Sequence, residues 1–182
     1  MGFNMLVLQA FYFALPIYFA NIAPVFVASL SILGKPIDGG RLYHGQPLFG
    51  SHKTWRGFIA GILFAIFTVF LQSLAAERGM LSSVALVDYT RISWVLLGVL
   101  MGLGALGGDL LKSFFKRRLS RPSGSSWVPF DQLDFVLGGL ALTALYVWPG
   151  LDVALFLIIA TPLLHYLMNR LAFFCGLKQV HW

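Results

Sequence analysis

The chain has 182 residues, 58% hydrophobic and only 11% charged, with a mean hydropathy of +0.81; a soluble domain carries about 25% charged residues. That balance excludes a soluble enzyme and marks an integral membrane protein. The net charge of +6 does not point to nucleic acid. The basic residues are divided among the loops between apolar spans, a pattern that orients helices and meets anionic head groups or phosphates.

Five apolar segments follow in chain order, at residues 5–33, 57–74, 92–115, 133–148 and 151–174. Each is near or above the roughly 17–25 residues a spanning helix needs, the fourth being the shortest. Pro16 and Pro24 interrupt the first segment and predict a kink or break. Only Pro149 and Gly150 separate the fourth from the fifth, which predicts a tight helical hairpin. The amino-terminal run lacks the basic stretch of a signal peptide and is too long for one, so it is expected to persist as the first helix. The expected fold is all-α and integral to the membrane: one domain, residues 1–182, with five transmembrane helices.

Charge orients this bundle. Residues 1–34 carry no Lys or Arg, whereas the first loop holds Lys35, Arg41, Lys53 and Arg56. The second loop has Arg78 and Arg91, the third has Lys112, Lys116, Arg117, Arg118 and Arg121, and the carboxyl-terminal end adds Arg170 and Lys178. With an odd number of spans, loops one and three and the carboxyl terminus share a side. The positive-inside rule makes that side cytoplasmic and puts the amino terminus outside. The lone Cys175 excludes an internal disulfide.

Loop one ends in Ser51-His52-Lys53-Thr54-Trp55-Arg56-Gly57. A Walker A loop closes on G-K-[ST], and Lys53 follows His52, so that nucleotide motif is absent. Two readings stay open. Backbone amides at the start of helix two, with Lys53, Thr54 and Arg56, suit an anion; alternatively Lys53, Trp55 and Arg56 are interfacial anchors.

Helix three carries a polar stripe inside an apolar span: Asp109, Lys112, Ser113, Lys116 and Arg117 fall on one face, with Leu110, Leu111, Phe114 and Phe115 on the other. A carboxylate at bilayer depth costs about 2.5–3.5 kcal/mol on insertion scales, so Asp109 is a functional candidate. Asp131 and Asp134, at i and i+3 at the start of helix four after Pro129, can face Asp109. Three carboxylates opposite a basic cluster suit Mg²⁺ sharing a triphosphate with Lys and Arg. The plainer reading makes Asp131 and Asp134 helix-capping residues. Asn21 is a polar residue at depth in helix one that either lines a pocket or cross-bonds helices.

These residues carry a resemblance. The run 51–57, then Gly108-Asp109-x3-Ser113-x2-Lys116-Arg117, then Pro129 and Asp131-x2-Asp134, is similar to the CDP-diacylglycerol synthase superfamily of membrane cytidylyltransferases. The closer likeness is to its short archaeal branch, the CDP-archaeol synthases, which share the patterns Asn21-x2-Pro24, Pro36-Ile37-Asp38 and Asp131-Gln132-Leu133-Asp134-Phe135. The likeness runs the length of the chain. Lys112 stands where bacterial members have an acid and Arg56 where they have Glu, and the glycine- and histidine-rich run before the last acids is replaced by 123–128.

The resemblance implies a reaction in which CTP and 2,3-bis-O-(geranylgeranyl)-glycerol 1-phosphate give CDP-archaeol and pyrophosphate. It implies Mg²⁺ on Asp131 and Asp134, with Asp109 a third ligand or an organiser of Lys116. Lys53, Lys116 and Arg117 would hold the triphosphate; Lys112, Arg118 and Arg121 would meet the lipid phosphate; Thr54, Ser113, Arg56 and Asn21 would be further substrate contacts, and His44 and His52 in loop one are also candidate ligand contacts. The implied location is the cell membrane, multi-pass, with the site facing the cytoplasm. Two rivals are a cytidylyltransferase acting on diacyl phosphatidic acid and a non-catalytic transport or assembly protein. A CDP-alcohol phosphotransferase is excluded, because its D-G-x2-A-R and D-x3-D acids are missing.

Overall fold

A computed structural model describes residues 2–121 and 125–174, except the side chains of 168, 169 and 171–174. Cys175, Lys178 and, from the 123–128 run, Ser123 and Gly124 lie outside the described residues. In chain order come α1 (Phe3–Phe26), β1 (Leu42–Tyr43), β2 (Gln46–Pro47), α2 (Trp55–Glu77), α3 (Trp94–Arg118), α4 (Phe130–Thr143) and α5 (Leu151–Phe174). The described residues form helices joined by loops, with that one small hairpin. α1, α2 and α3 are long and apolar enough to cross a membrane, and Leu151–Leu167 within α5 is a shorter apolar stretch.

Three details depart from the sequence expectation. α1 runs through Pro16 and Pro24 as one helix but stops at Phe26, seven residues before the apolar run ends at Leu33. Pro24 packs against Gly57 at the start of α2, so tertiary packing offsets the backbone bond that proline removes. α4 has 14 residues, a rise of roughly 21 Å, short of the roughly 30 Å hydrocarbon core. Beyond it, Ala144, Leu145, Tyr146 and Val147 fold into turns on the carbonyls of Leu140, Leu142 and Thr143, so the link to α5 is seven residues rather than two. The Tyr146 hydroxyl accepts from the Ser93 amide at 2.9 Å, which ties this link to the start of α3.

The helices alternate in direction, as their contacts show. A Cβ at Gly98 would lie 2.5 Å from the Ile66 Cα, and one at Gly102 would lie 2.9 Å from the Ile62 Cα, so α2 and α3 run antiparallel at backbone contact. α3 and α4 touch in the same way: a Cβ on Gly104 would meet the Gly138 carbonyl oxygen at 2.4 Å, and one on Gly108 the Asp134 carbonyl oxygen at 2.1 Å. Tyr18 in α1 bonds Thr161 in α5 at 2.7 Å, and Phe11 packs edge-on against Phe156, so these two helices are parallel. Phe13, Ile17, Leu97, Met101, Phe135, Val136 and Leu157 are fully buried at the centre. The amino ends of α2 and α4 and the carboxyl ends of α1, α3 and α5 therefore gather at one end of the bundle. Both loops that carried the motifs are there.

Candidate active site

The segment before α2 is held as an extended ribbon. Pro36 bridges Thr54, the Ile37 amide donates to the Lys53 carbonyl at 2.7 Å, and the Trp55 and Arg56 amides donate to Lys35 and Leu33. This fixes the backbone of Lys53, whose ammonium bonds the Asp109 carboxylate in α3. One turn along, the Lys112 ammonium sits among three carboxylates: Asp131 at 2.9 Å, Asp134 at 2.9 Å and Asp109 at 3.3 Å. One further turn on, Lys116 contacts both oxygens of Asp131, at 3.0 and 3.1 Å. The three aspartates thus face Lys53, Lys112 and Lys116, and the cluster balances its own charge.

Asp131 does not cap α4. The cap position is Pro129, with no side-chain capping bond, and the Asp131 carboxylate instead accepts from the Trp127 amide and the two lysines. Asp134 is nearly covered and accepts from the Phe135 amide at 2.7 Å through its second oxygen. The close α3–α4 packing at Gly104 and Gly108 is what lets aspartates on neighbouring helices share one lysine.

Two larger cavities flank the cluster. A polar one of about 360 Å³ is lined by Phe49, Gly50, His52, Lys53, Lys112, Ser113, Lys116, Arg117, Ser125 and Asp131. Arg117 is only 8% exposed and its Nε has no hydrogen-bond partner among the described residues. A buried guanidinium nitrogen left unsatisfied beside lysines is set for an anion. The second, an apolar groove of about 540 Å³ between α3 and α4, is walled by Leu111, Phe115, Trp127, Phe130, Leu133 and Leu137. Lys112 lines both cavities, and Asp134 borders the groove.

A family model described as CDP-archaeol synthase, CarS-like, matches residues 3–182. The chain is 39% identical to a CDP-archaeol synthase of Thermococcus onnurineus over 96% of both sequences. It is 36% identical to one of Thermococcus kodakarensis over 100% of both. A solved structure of an intramembrane enzyme for archaeal membrane lipid biosynthesis superposes with a TM-score of 0.71 at 32% identity, over 88% of this chain and 92% of that one. The chain belongs to the CDP-archaeol synthase family.

For a CDP-archaeol synthase, the motif residues divide into a converging set and an outlying one. Lys53, Asp109, Lys112, Ser113, Lys116, Arg117, Asp131 and Asp134 meet at the cluster and its cavities. Thr54 is the N-cap of α2 without a capping bond, and with Lys53, His52 and Asp109 it lines a recess of about 60 Å³. Arg56 is directed away, its guanidinium donating to the Leu30 carbonyl. Arg118 is engaged with the hairpin: it donates to the Tyr43 carbonyl at 2.8 Å and the Pro47 carbonyl at 2.5 Å, and lies over the Tyr43 and Phe114 rings. Arg121 donates to the Ser126 carbonyl at 3.2 Å and faces the Trp127 ring. Asn21 is half-buried in α1 and lines neither flanking cavity; His44 is exposed in the hairpin turn against Tyr43.

Asp38 is the residue whose part in the site the sequence reading did not assign. It is 8% exposed, and its carboxylate accepts from the amides of Gly40 at 2.9 Å, Phe49 at 3.0 Å and Gly50 at 3.3 Å. Burial works to raise its pKa, but the bonds from Phe49, Gly40 and Gly50 outweigh it and hold the carboxyl below its ordinary value. Asp38 thereby places Phe49 and Gly50 at the cavity wall. The signal was local: an Asp followed by two glycines invites a side chain to bond the backbone two residues on.

Among the described residues, no three acidic, His or Cys side chains stand close enough together to hold a metal ion as they are placed. The three aspartates are spread around Lys112 instead. Their hard carboxylate oxygens are of the donor type that a divalent cation takes.

Proposed function

We propose that this chain transfers CMP from CTP to 2,3-bis-O-(geranylgeranyl)-glycerol 1-phosphate, giving CDP-archaeol and pyrophosphate. The observation that carries the reading is the junction at Lys112, where a cationic polar cavity meets an apolar groove. A substrate with an ionic head and long hydrocarbon tails needs that pairing. Lys53, Lys116 and Arg117 hold the triphosphate, with the orphan Arg117 Nε awaiting a phosphate oxygen. The prenyl chains lie in the α3–α4 groove, and the lipid phosphate sits at the junction of groove and polar cavity, beside Ser113.

The lipid phosphate oxygen attacks the α-phosphorus of CTP, the new P–O bond forms, and the bond to the β-phosphate breaks to release pyrophosphate. The nucleophile is already anionic at neutral pH, so no general base is needed. Asp131 and Asp134, with Asp109, are the residues that would hold Mg²⁺, which supplies charge neutralisation on the phosphates when bound. The side chains contribute alignment and preorganised positive charge.

The chain forms one cytidylyltransferase domain of five spans in the cell membrane, with the amino terminus outside and the carboxyl terminus and active site cytoplasmic. The alternating helix directions support this, since they gather the Lys- and Arg-rich loops at one end, and the apolar turns through Trp148 extend the short α4. Reconstitution with labelled CTP, Mg²⁺ and either the geranylgeranyl or a diacyl glycerol phosphate tests the reading. Label should enter the geranylgeranyl lipid. Label in the diacyl lipid alone would reassign the substrate, and label in neither would overturn the activity.

A further inference from the structure

The Lys112 ammonium has three protons and three carboxylates around it, one on each of Asp109, Asp131 and Asp134. A cation therefore already occupies the point on which the acidic oxygens converge. It is delivered by the backbone of α3 and is present at high effective concentration whatever the ionic conditions. Lys53 and Lys116 complete the balance of three positive against three negative charges. A divalent ion entering alone would have to expel the ammonium and leave an excess of positive charge in a poorly hydrated pocket. A triphosphate changes this, because it brings more negative charge than the metal ion brings positive. The Lys112 side chain borders the polar cavity as well as the groove, so its ammonium can turn to the phosphates without crossing the core. The unpaired Nε of buried Arg117 in the same cavity independently marks where an anion would dock.

We infer that Lys112 is a tethered cation that closes the three aspartates to divalent metal until nucleotide phosphate draws its ammonium away, so that metal and nucleotide load together. Lys112 is in this sense a positioning residue for metal entry, and the inference rests on the CTP and Mg²⁺ reading above. It differs from a purely structural ion pair because it makes metal affinity depend on nucleotide.

Equilibrium dialysis of the full chain in detergent, with Mn²⁺ as the probe and bound metal counted at fixed free Mn²⁺, tests it. Wild-type protein should bind Mn²⁺ weakly alone and roughly tenfold or more tightly with CTP. K112M should bind Mn²⁺ tightly without nucleotide, with CTP adding little, while K112R should behave as wild type. Wild-type protein that binds Mn²⁺ equally with and without CTP overturns the inference while leaving the metal-dependent activity in place, and this arm does not depend on any variant folding. A folded K112M, checked by thermal melting, whose nucleotide-free Mn²⁺ binding is unchanged also overturns it. Failure of the wild type to retain Mn²⁺ even with CTP overturns the metal reading itself, and the inference with it.

Discussion

Gly108→Ala is the sharpest perturbation, because one methyl group tests the geometry that assembles the cluster. The added Cβ would lie 2.1 Å from the Asp134 carbonyl oxygen and 2.9 Å from its carbonyl carbon. Ordinary contact begins at 3.4 Å, so α3 and α4 must separate by about 1.3 Å at this level. No flexible side chain can absorb the shift, since the obstacle is backbone. Overpacking of this kind costs about 1–3 kcal/mol, and a displacement near 1 Å at a reacting centre costs roughly 10²-fold in turnover. The displaced residue is Asp134, whose carboxylate shares Lys112 with Asp109 and Asp131, so catalysis should suffer more than folding. The assay is CMP transfer from labelled CTP beside thermal melting in detergent. Gly107→Ala is the control: its Cβ meets nothing within 4 Å, and alanine favours helix by about 1 kcal/mol, so activity and melting should hold or improve. Full activity and unchanged melting in Gly108→Ala would refute backbone contact between α3 and α4 as the device that builds the site.

Other perturbations separate the roles. Asp131→Asn and Asp134→Asn should each lower turnover by roughly 10²-fold or more while the protein still melts cooperatively, and near-wild-type turnover in either would remove that residue from the metal site. Lys53→Ala should raise the apparent KM for CTP by roughly tenfold or more, the loss of one charge-assisted phosphate contact; an unchanged KM would return Lys53 to the role of an interfacial anchor. Arg118→Ala should free the 42–47 hairpin, seen as faster proteolytic cleavage there, and Arg118→Lys should restore little because a lysine cannot span the carbonyls of Tyr43 and Pro47; unaltered cleavage would refute the clamp. The Asp38 carboxyl is depressed in the folded state, so its contribution is present above the ordinary value near ~3.9 and is lost as pH falls through the lowered one. Amide exchange at Phe49 and Gly50 should therefore stay protected from neutral pH down to about 4 and rise below it, whereas Asp38→Asn should weaken protection at every pH; acid-insensitive protection in the wild type would count against this anchor.

Much of this protein is legible in one dimension. Hydropathy alone marks the apolar helices, because a chain without water to bond its backbone must close those bonds within each span. The stripe of Asp109, Lys112, Ser113, Lys116 and Arg117 follows from the helical period, and the basic loops follow from composition. Where helices stop is less legible: residues 27–33 and 144–148 are as apolar as the helices they follow, yet they turn, because packing decides the boundary there. The 42–47 hairpin escaped notice for a local reason. Its turn uses positive φ at both His44 and Gly45, a conformation that sequence patterns associate with Asn-Gly rather than His-Gly.

Which charges pair is a different matter, since pairing depends on distances between helices and not on spacing along one. Arg56, Arg118 and Arg121 read in sequence like Lys53 and Arg117, yet they bond backbone carbonyls of loops, while Lys53 and Arg117 line the cavity. Asp109 announced from its depth alone that something was needed there. That the need is met by a lysine shared among three aspartates was decided by glycines that bring α3 and α4 into backbone contact, a close approach that exists only once the helices pack.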